Sequence, residues 1–263
     1  MRNMEVFKKH LREKRAVKII SGINNFDLEK VKQVAIAAQS GLASAVDVAA
    51  SADVVKVAKQ HTKLAVFASS IHPFKLLEAV KAGADAIEIG NFEALYKEGI
   101  YLSADDIYEI TVEAMDLTQK YDPFVCVTIP GHIDVEEQIK LAQKLEILGV
   151  DLLQTEGVSK VYDRGAKGLL DAAKATIGNT LELSQQVGIP IMSASGLTPQ
   201  TVPLAFAAGA SAVGVGSCVN RLDTQVGMIA MVRNIVGSIA YNRQASREIE
   251  KASKNMEYSS IIF

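Results

Sequence analysis

Two stretches late in the chain decide its fold: Met192-Ser193-Ala194-Ser195-Gly196-Leu197-Thr198-Pro199 and Ala212-Val213-Gly214-Val215-Gly216-Ser217. Each reads as a short apolar strand that runs into glycine and serine and then into a helix start. Glycine removes the side chain that would hold an anion away from the backbone. A helix start adds unpaired N–H groups and the positive end of a dipole. Two such turns, a short helix apart near the end of a strand–helix chain, match the phosphate grip that many TIM barrels build after strands 7 and 8. On this reading Ser195, Gly196, Leu197, Gly214, Gly216 and Ser217 meet a phosphorylated small molecule.

Working outward, a repeat orders the rest. Gly83-Ala84-Asp85-Ala86-Ile87, Gly149-Val150-Asp151-Leu152-Leu153 and Gly209-Ala210-Ser211-Ala212-Val213 share one pattern, and Gly41 to Val46 is a looser copy, one residue longer. Each reads as a helix that ends on a left-handed glycine and passes at once into a buried strand. These junctions precede strands 2, 4, 6 and 8. Other apolar runs, Ala16 to Ser21, Leu64 to Ser69, Phe124 to Ile129 and Ile191 to Ala194, supply the remaining strands. Alternating strands and helices imply a parallel sheet with right-handed crossovers. Eight units imply a single (β/α)8 TIM barrel over 1–263, with an extra N-terminal helix near Met4 to Arg15 and a C-terminal helical extension from Asp223 to Glu250. A doubly wound open sheet is the rival, disfavoured by eight regular units. Ser103-Ala104-Asp105-Asp106 and Asp134-Val135-Glu136-Glu137 read as capping-box starts, and His72-Pro73 and Thr198-Pro199 as starts with proline in the first helical position. Gly90 to Leu102 and Glu156 to Gly168 are long connections, of the kind that carry lids and substrate contacts.

The 263 residues approach the ~250 of one barrel. A net charge of -2 offers no basic field for nucleic acid. Cys126 and Cys218 make no disulfide framework, which suits a reducing compartment. No apolar run reaches the ~20 residues of a membrane span, and the N-terminus reads as neither a signal nor a transit peptide. The four histidines lack zinc-site spacing, so no metal is expected.

Barrel strands are buried on both faces and should be apolar throughout. Three break the rule, with Lys18, Asp47 and Glu88 inside apolar runs. Pointing outward, each would lie jammed under the helix layer; pointing inward, each reaches the barrel mouth. The simplest arrangement has Lys18 neutralised by one acid while the other stays available; as catalytic groups, Glu88 is favoured as the general base with Asp47 as the fallback, and Lys18 would stabilise an enolate or polarise a carbonyl. The bland alternative is an ion-pair plug. Asn91, Thr128, Gln154, Glu156, Ser69, Ser70 and His72 collect at the same face, with His132 just beyond. Asn91, Gln154 and Glu156 are assigned to substrate. Lys160, Arg164 and Lys167 are either solvated or anion contacts. Cys126, without an adjacent base, reads as packing. Gly214-Val215-Gly216 is an incomplete dinucleotide fingerprint, since Val219 holds the third glycine position. No lysine stands where a Schiff-base aldolase barrel commonly carries it.

Several blocks together resemble a conserved hypothetical open-reading-frame family of algal chloroplasts and cyanobacteria. They are Lys18 to Asp27, Ala86 to Phe92, Leu153 to Gly157, Ser193 to Leu197 and Gly214 to Leu222. The resemblance implies a barrel of the ribulose-phosphate-binding kind in a plastid stroma or cyanobacterial cytoplasm, and it implies no reaction. The expected function is an isomerase, epimerase or lyase acting on a small sugar-phosphate-like metabolite. A flavin-mononucleotide barrel and a non-catalytic phosphometabolite-binding or regulatory protein are the alternatives. Assembly into a homo-oligomer stays open.

Overall fold

In a computed structural model, described for residues 2–96, 98–157 and 165–239, eight parallel strands close into one barrel in chain order, the last pairing with the first. They are β1 (Ala16–Ile20), β2 (Ala45–Ala49), β3 (Ala65–Ser69), β4 (Ala86–Ile89), β5 (Phe124–Ile129), β6 (Leu152–Thr155), β7 (Ile191–Ala194) and β8 (Ala212–Val215). Helix α1 (Arg2–Arg12) precedes β1. The outer layer holds α2 (Leu28–Ser40), α3 (Ala52–His61), α4 (Pro73–Lys81), α6 (Ala104–Thr118), α7 (Val135–Leu148), α8 (Gly165–Ser184) and α9 (Val202–Ala207). Two one-turn helices stand at the mouth, α5 (Glu93–Tyr96) after β4 and α10 (Ser217–Asn220) after β8. A further helix covers 225–239, and the rest of the expected extension lies outside the described residues. Among the described residues no helix is long and apolar enough to cross a membrane.

The alternation of each strand sorts its residues. Val17, Ile19, Val46, Val48, Ile87 and Ile89 face the helices in one continuous apolar shell. The residues between them face inward. At the lower end Phe67, Phe124, Leu152, Met192 and a ring of alanines form a second core, closed from below by Met4, Phe7 and Leu11 of α1. The Phe7 ring meets Phe67 and Phe124 edge-on, with centroids 5.1 and 5.7 Å apart. The extra N-terminal helix is therefore a stopper.

The repeat has a purpose beyond its glycine. Gly83, Gly149 and Gly209 take φ of 105, 95 and 104°, as a left-handed cap requires. The Asp85 carboxylate accepts from Val66 N at 2.8 Å, and Asp151 accepts from Val125 N at 2.8 Å. Each aspartate thus satisfies the N–H of a residue at the start of the preceding strand. Ser44 Oγ does the same for Val17 N at 3.1 Å.

The loose copy is corrected in this register. Gly41 is right-handed, with φ -84°, and Leu42 takes the left-handed position at φ 67°. Leu42-Ala43-Ser44 is the true counterpart of Gly83-Ala84-Asp85. Gly41 is a glycine for another reason: a Cβ there would lie 2.4 Å from Val232 of the 225–239 helix.

Ser103 and Asp106 form the expected capping box, and His72-Pro73 starts α4. Asp134 caps α7 by accepting from Glu137 N at 2.9 Å. Thr198-Pro199 does not start a helix. Thr201 N returns to Thr198 O at 3.0 Å to make a turn, and α9 begins at Val202, with its own proline at 203.

Candidate active site

Above the aromatic floor the inward row turns ionic. Lys18 Nζ donates to Glu88 Oε2 and stands 5.1 Å from the centre of the Phe67 ring. Glu88 Oε1 accepts from Gln154 Nε2 at 2.8 Å, and the same amide donates to Thr128 Oγ1 at 3.0 Å. Asp47 accepts from the Ser69 hydroxyl through Oδ1 and from Asn91 Nδ2 through Oδ2, the latter at 3.0 Å. Lys18, Asp47 and Glu88 have no exposed surface.

Burial sets the electrostatics. It pulls the Lys18 ammonium down, but the Glu88 and Asp47 carboxylates outweigh it, so Lys18 stands above its usual pKa and remains charged. Burial, reinforced by the charge of Glu88, pushes Asp47 up to about 7 against the opposing pull of Lys18, Ser69 and Asn91. Cys126, next to Glu88 across the β4–β5 register, is pushed well above the thiol range by burial and by Glu88. It is an inert packing residue.

A cavity of about 250 Å³ opens over this layer. The pair of turns after β7 and β8 lines it with Ser195, Gly196, Leu197, Gly216 and Ser217; Asn91 after β4 and Gln154 and Glu156 of the neighbouring β6 end line the rest. Ser195 and Gly196 take φ of 79 and 68°. A Cβ on Gly196 would lie 2.2 Å from Ala172 O of α8, so this turn requires glycine in both conformation and space. Gly214 keeps the β8 wall thin, between Ile20, Ala194 and Gln154. Among the described residues the N–H groups of Gly196, Leu197, Gly216 and Ser217 find no protein acceptor.

Asn91 reaches the cavity through a second special turn. It sits at φ 64°, and a Cβ on Gly90 would fall 1.9 Å from Thr128 Oγ1. The contact to Glu88 fixes which end of the Gln154 amide is nitrogen, and its Oε1 is buried with no donor among the described residues. At the rim Glu156 is nearly buried, at 4 % exposure. It accepts from the Tyr96 hydroxyl at 3.4 Å. His132 Nδ1 lies 3.1 Å from the same hydroxyl, and Tyr101 stacks on the Tyr96 ring at 5.1 Å. Burial, then the charge of Glu156, raise the Tyr96 phenol far above its usual pKa, so it keeps its proton.

The structure brings the sequence-assigned residues together and divides them into two tiers. Ser195, Gly196, Leu197, Gly214, Gly216, Ser217, Asn91, Gln154 and Glu156 line the cavity. Lys18, Asp47 and Glu88 form the expected inner network but lie beneath it, with Asn91 and Gln154 above them. Direct substrate contact by Glu88 is therefore corrected: one Glu88 oxygen is held by Lys18 and the other by Gln154. The helix start expected straight after Gly196 is also corrected, because α9 begins only at Val202. Lys160 and Arg164 lie outside the described residues; Lys167 is on α8, 3.8 Å from Asp171. Sequence reasoning missed Asn220, whose amide donates to Ile20 O at 2.9 Å beside the cavity. It also missed Tyr96, although the long connection that holds it had been marked.

The family model described as "Protein of unknown function (DUF561)" matches residues 1–245. The chain belongs to the DUF561 family. Among DUF561 relatives, the ycf23 protein of Pyropia yezoensis is 34% identical over 239 residues, covering 90% of this chain and 87% of that protein. The ycf23 protein of Cyanophora paradoxa is 36% identical over 234 residues, covering 88% and 96%. Among solved structures, a 3-hexulose-6-phosphate synthase superposes with a TM-score of 0.62 at 15% identity, covering 85% of this chain and 99% of that one. At that identity the likeness establishes the barrel fold.

Proposed function

We propose that this DUF561 barrel is an enzyme that holds a small phosphorylated, sugar-phosphate-like metabolite by its phosphate between the β7 and β8 turns and rearranges the far end by proton transfer, as an isomerase, epimerase or lyase. The observation that carries the reading is the cavity. Four backbone N–H groups, unpaired among the described residues, line the β7 and β8 turns, and amide and carboxylate groups line the rest. The N–H groups suit a phosphate. The polar groups lie over a fixed ion layer that shapes the local field. Lys18, Asp47 and Glu88 act through Asn91 and Gln154 as positioning residues.

The volume of about 250 Å³ sits below the ~300–1,000 Å³ of pockets for drug-sized ligands. It favours a short sugar phosphate over flavin mononucleotide. A synthase named for a hexulose phosphate on the same fold supports the substrate class. The sealing of the ion layer favours the rival, a non-catalytic binding protein, and solvent exchange decides between the two. The relatives come from a red alga and a glaucophyte, which supports a plastid stroma or cyanobacterial cytoplasm.

Ser217→Asp tests the grip. An acid at the first position of α10 is compatible with a helix start, but it places a negative charge where the phosphate would sit. Thermal protection by dihydroxyacetone phosphate should disappear while the melting temperature of the free protein holds. Equal protection of wild type and variant would remove the proposed phosphate position.

A further inference from the structure

The proposed reaction needs a group that touches the ligand and moves a proton. The inner network does not supply one, because its carboxylates lie below the lining. Among the described residues that line the cavity, Glu156 is the ionisable side chain.

We propose that Glu156 is the catalytic base, that Tyr96 and His132 position it, and that the ligand is a ketose phosphate whose hydroxyl-bearing carbons face the β4–β6 wall. This rests on the phosphate reading above. Three features converge on it. First, Glu156 follows β6 directly and so projects from a rigid strand end, beside the β7 turn, whose Ser195 hydroxyl donates to Gly157 O at 3.0 Å. Second, it receives the Tyr96 hydroxyl at 3.4 Å, while that phenol is also 3.1 Å from His132 Nδ1. The three aromatic rings brace one another, with His132 edge-on to Tyr96 and Tyr101 at 5.2 and 5.3 Å. The phenol proton is directed at one Glu156 oxygen, and the ring cluster fixes the phenol. Third, Gln154 Oε1, on the same strand, is buried and has no donor among the described residues. An open acceptor beside the N–H groups of the turns suits a ligand that carries hydroxyl groups as well as a phosphate.

The step balances without a co-reactant. Glu156 takes a proton from the carbon beside the ketone. The C–H electron pair becomes the C=C bond of an enediolate, and the carbonyl π electrons move to oxygen, which carries the negative charge that Glu156 has lost. The proton then returns from Glu156 to the carbon skeleton, at the same or the neighbouring carbon. Return to the same carbon changes no oxidation state; return to the neighbouring carbon, with the hydroxyl proton passing to the former carbonyl oxygen, oxidises one carbon and reduces the other within the molecule, so no external oxidant or reductant is needed.

The test follows deuterium uptake from D₂O into dihydroxyacetone phosphate and xylulose phosphate by NMR, with phosphate protection measured in parallel. Wild type should exchange the C–H beside the ketone. Glu156→Gln should exchange about 100-fold more slowly or less, the scale of a lost general base, while keeping phosphate protection. Glu156→Asp should recover part of the rate. Tyr96→Phe should lower the maximal exchange rate and leave the half-saturating ligand concentration unchanged, a split that a merely structural role would not give. Full exchange by Glu156→Gln overturns the assignment and leaves the phosphate reading standing. No exchange by wild type that is nonetheless protected overturns the ketose chemistry alone. Loss of protection in wild type overturns the phosphate reading itself. Should Glu156→Gln fail to fold, Glu156→Asp and Tyr96→Phe carry the test, and wild-type rates in both overturn the proposal.

Discussion

The two ends of the barrel interior are built from the same inward-facing rows and do opposite work. The lower end is aromatic and alanine-lined and stoppered by Phe7. The upper end is ionic, then polar, then open. Along β4 the change takes two residues, from Ala86 to Glu88. Along β3 it takes two as well, from Phe67 to Ser69. One pleat of a strand therefore separates a residue that holds the fold together from one that serves a site. The floor needs only volume, whereas each group above it needs a partner, and the boundary runs through Lys18, whose ammonium lies against the Phe67 ring and binds Glu88.

Breaking that boundary should have the largest effect. Lys18→Met leaves a carboxylate buried without its cation, a change that costs about 3–5 kcal/mol. Adding Glu88→Gln should return part of the loss, because the orphaned charge goes too. Denaturant unfolding of the two single variants and the double checks this; strictly additive losses would mean that the ion pair is not a coupled unit.

A smaller effect separates the two acids. Asp47 is held at about 7 in the fold and titrates near 3.9 in an unfolded chain. Between those values the folded state binds more protons than the unfolded one, so this group's contribution to stability falls as pH rises from about 4 to about 7 and is level beyond. In Asp47→Asn that slope should vanish. Its stability relative to wild type should improve from pH 5 to pH 8 in urea titrations, and a constant difference would contradict the raised value.

The smallest expected change lies at the lower end. Leu42 holds a left-handed backbone at φ 67° while its side chain is 70% exposed. The strain of that conformation for a non-glycine residue is on the order of 1 kcal/mol. Leu42→Gly should raise the melting temperature slightly and leave ligand protection unchanged, since nothing at the mouth depends on it. Asn91 and Ser195 accept similar φ at the upper end, and there the strained residues line the cavity.

The same contrast explains what the sequence disclosed. The barrel was legible because its signals are local: apolar runs, glycine caps and two glycine turns at fixed places. Inward orientation of Lys18, Asp47 and Glu88 was legible because the strand period leaves no other place for a charge. Which acid Lys18 would choose was not, because it depends on register around the ring and on Gln154, 66 positions from Glu88. Glu156 was grouped with the substrate residues, but its alliance with Tyr96 and His132 joins elements after β4, β5 and β6. The Gly41 copy misled by one residue because two glycine demands, a cap and a close helix approach, look alike in one dimension.

The helix at 225–239 carries a consequence for synthesis. It clasps the first helical layer from far along the chain: Gln225 donates to Gln33 O at 2.9 Å, and Arg233 reaches Ser40 O at 3.2 Å. Val232 occupies the niche that Gly41 leaves open. Beside it, β8 pairs with the edge of β1 that β2 leaves free. A ribosome makes β1 first among the eight strands and β8 last. Until β8 is made, β1 keeps an unpaired edge, an invitation to mispairing that long-range strand contacts generally bring. The stopper helix α1, made before any strand, can cover the underside of that edge while it waits. The ring is thus a seam closed only after β8 has been made, and the cavity between β7 and β8 exists only once that stitch is in place.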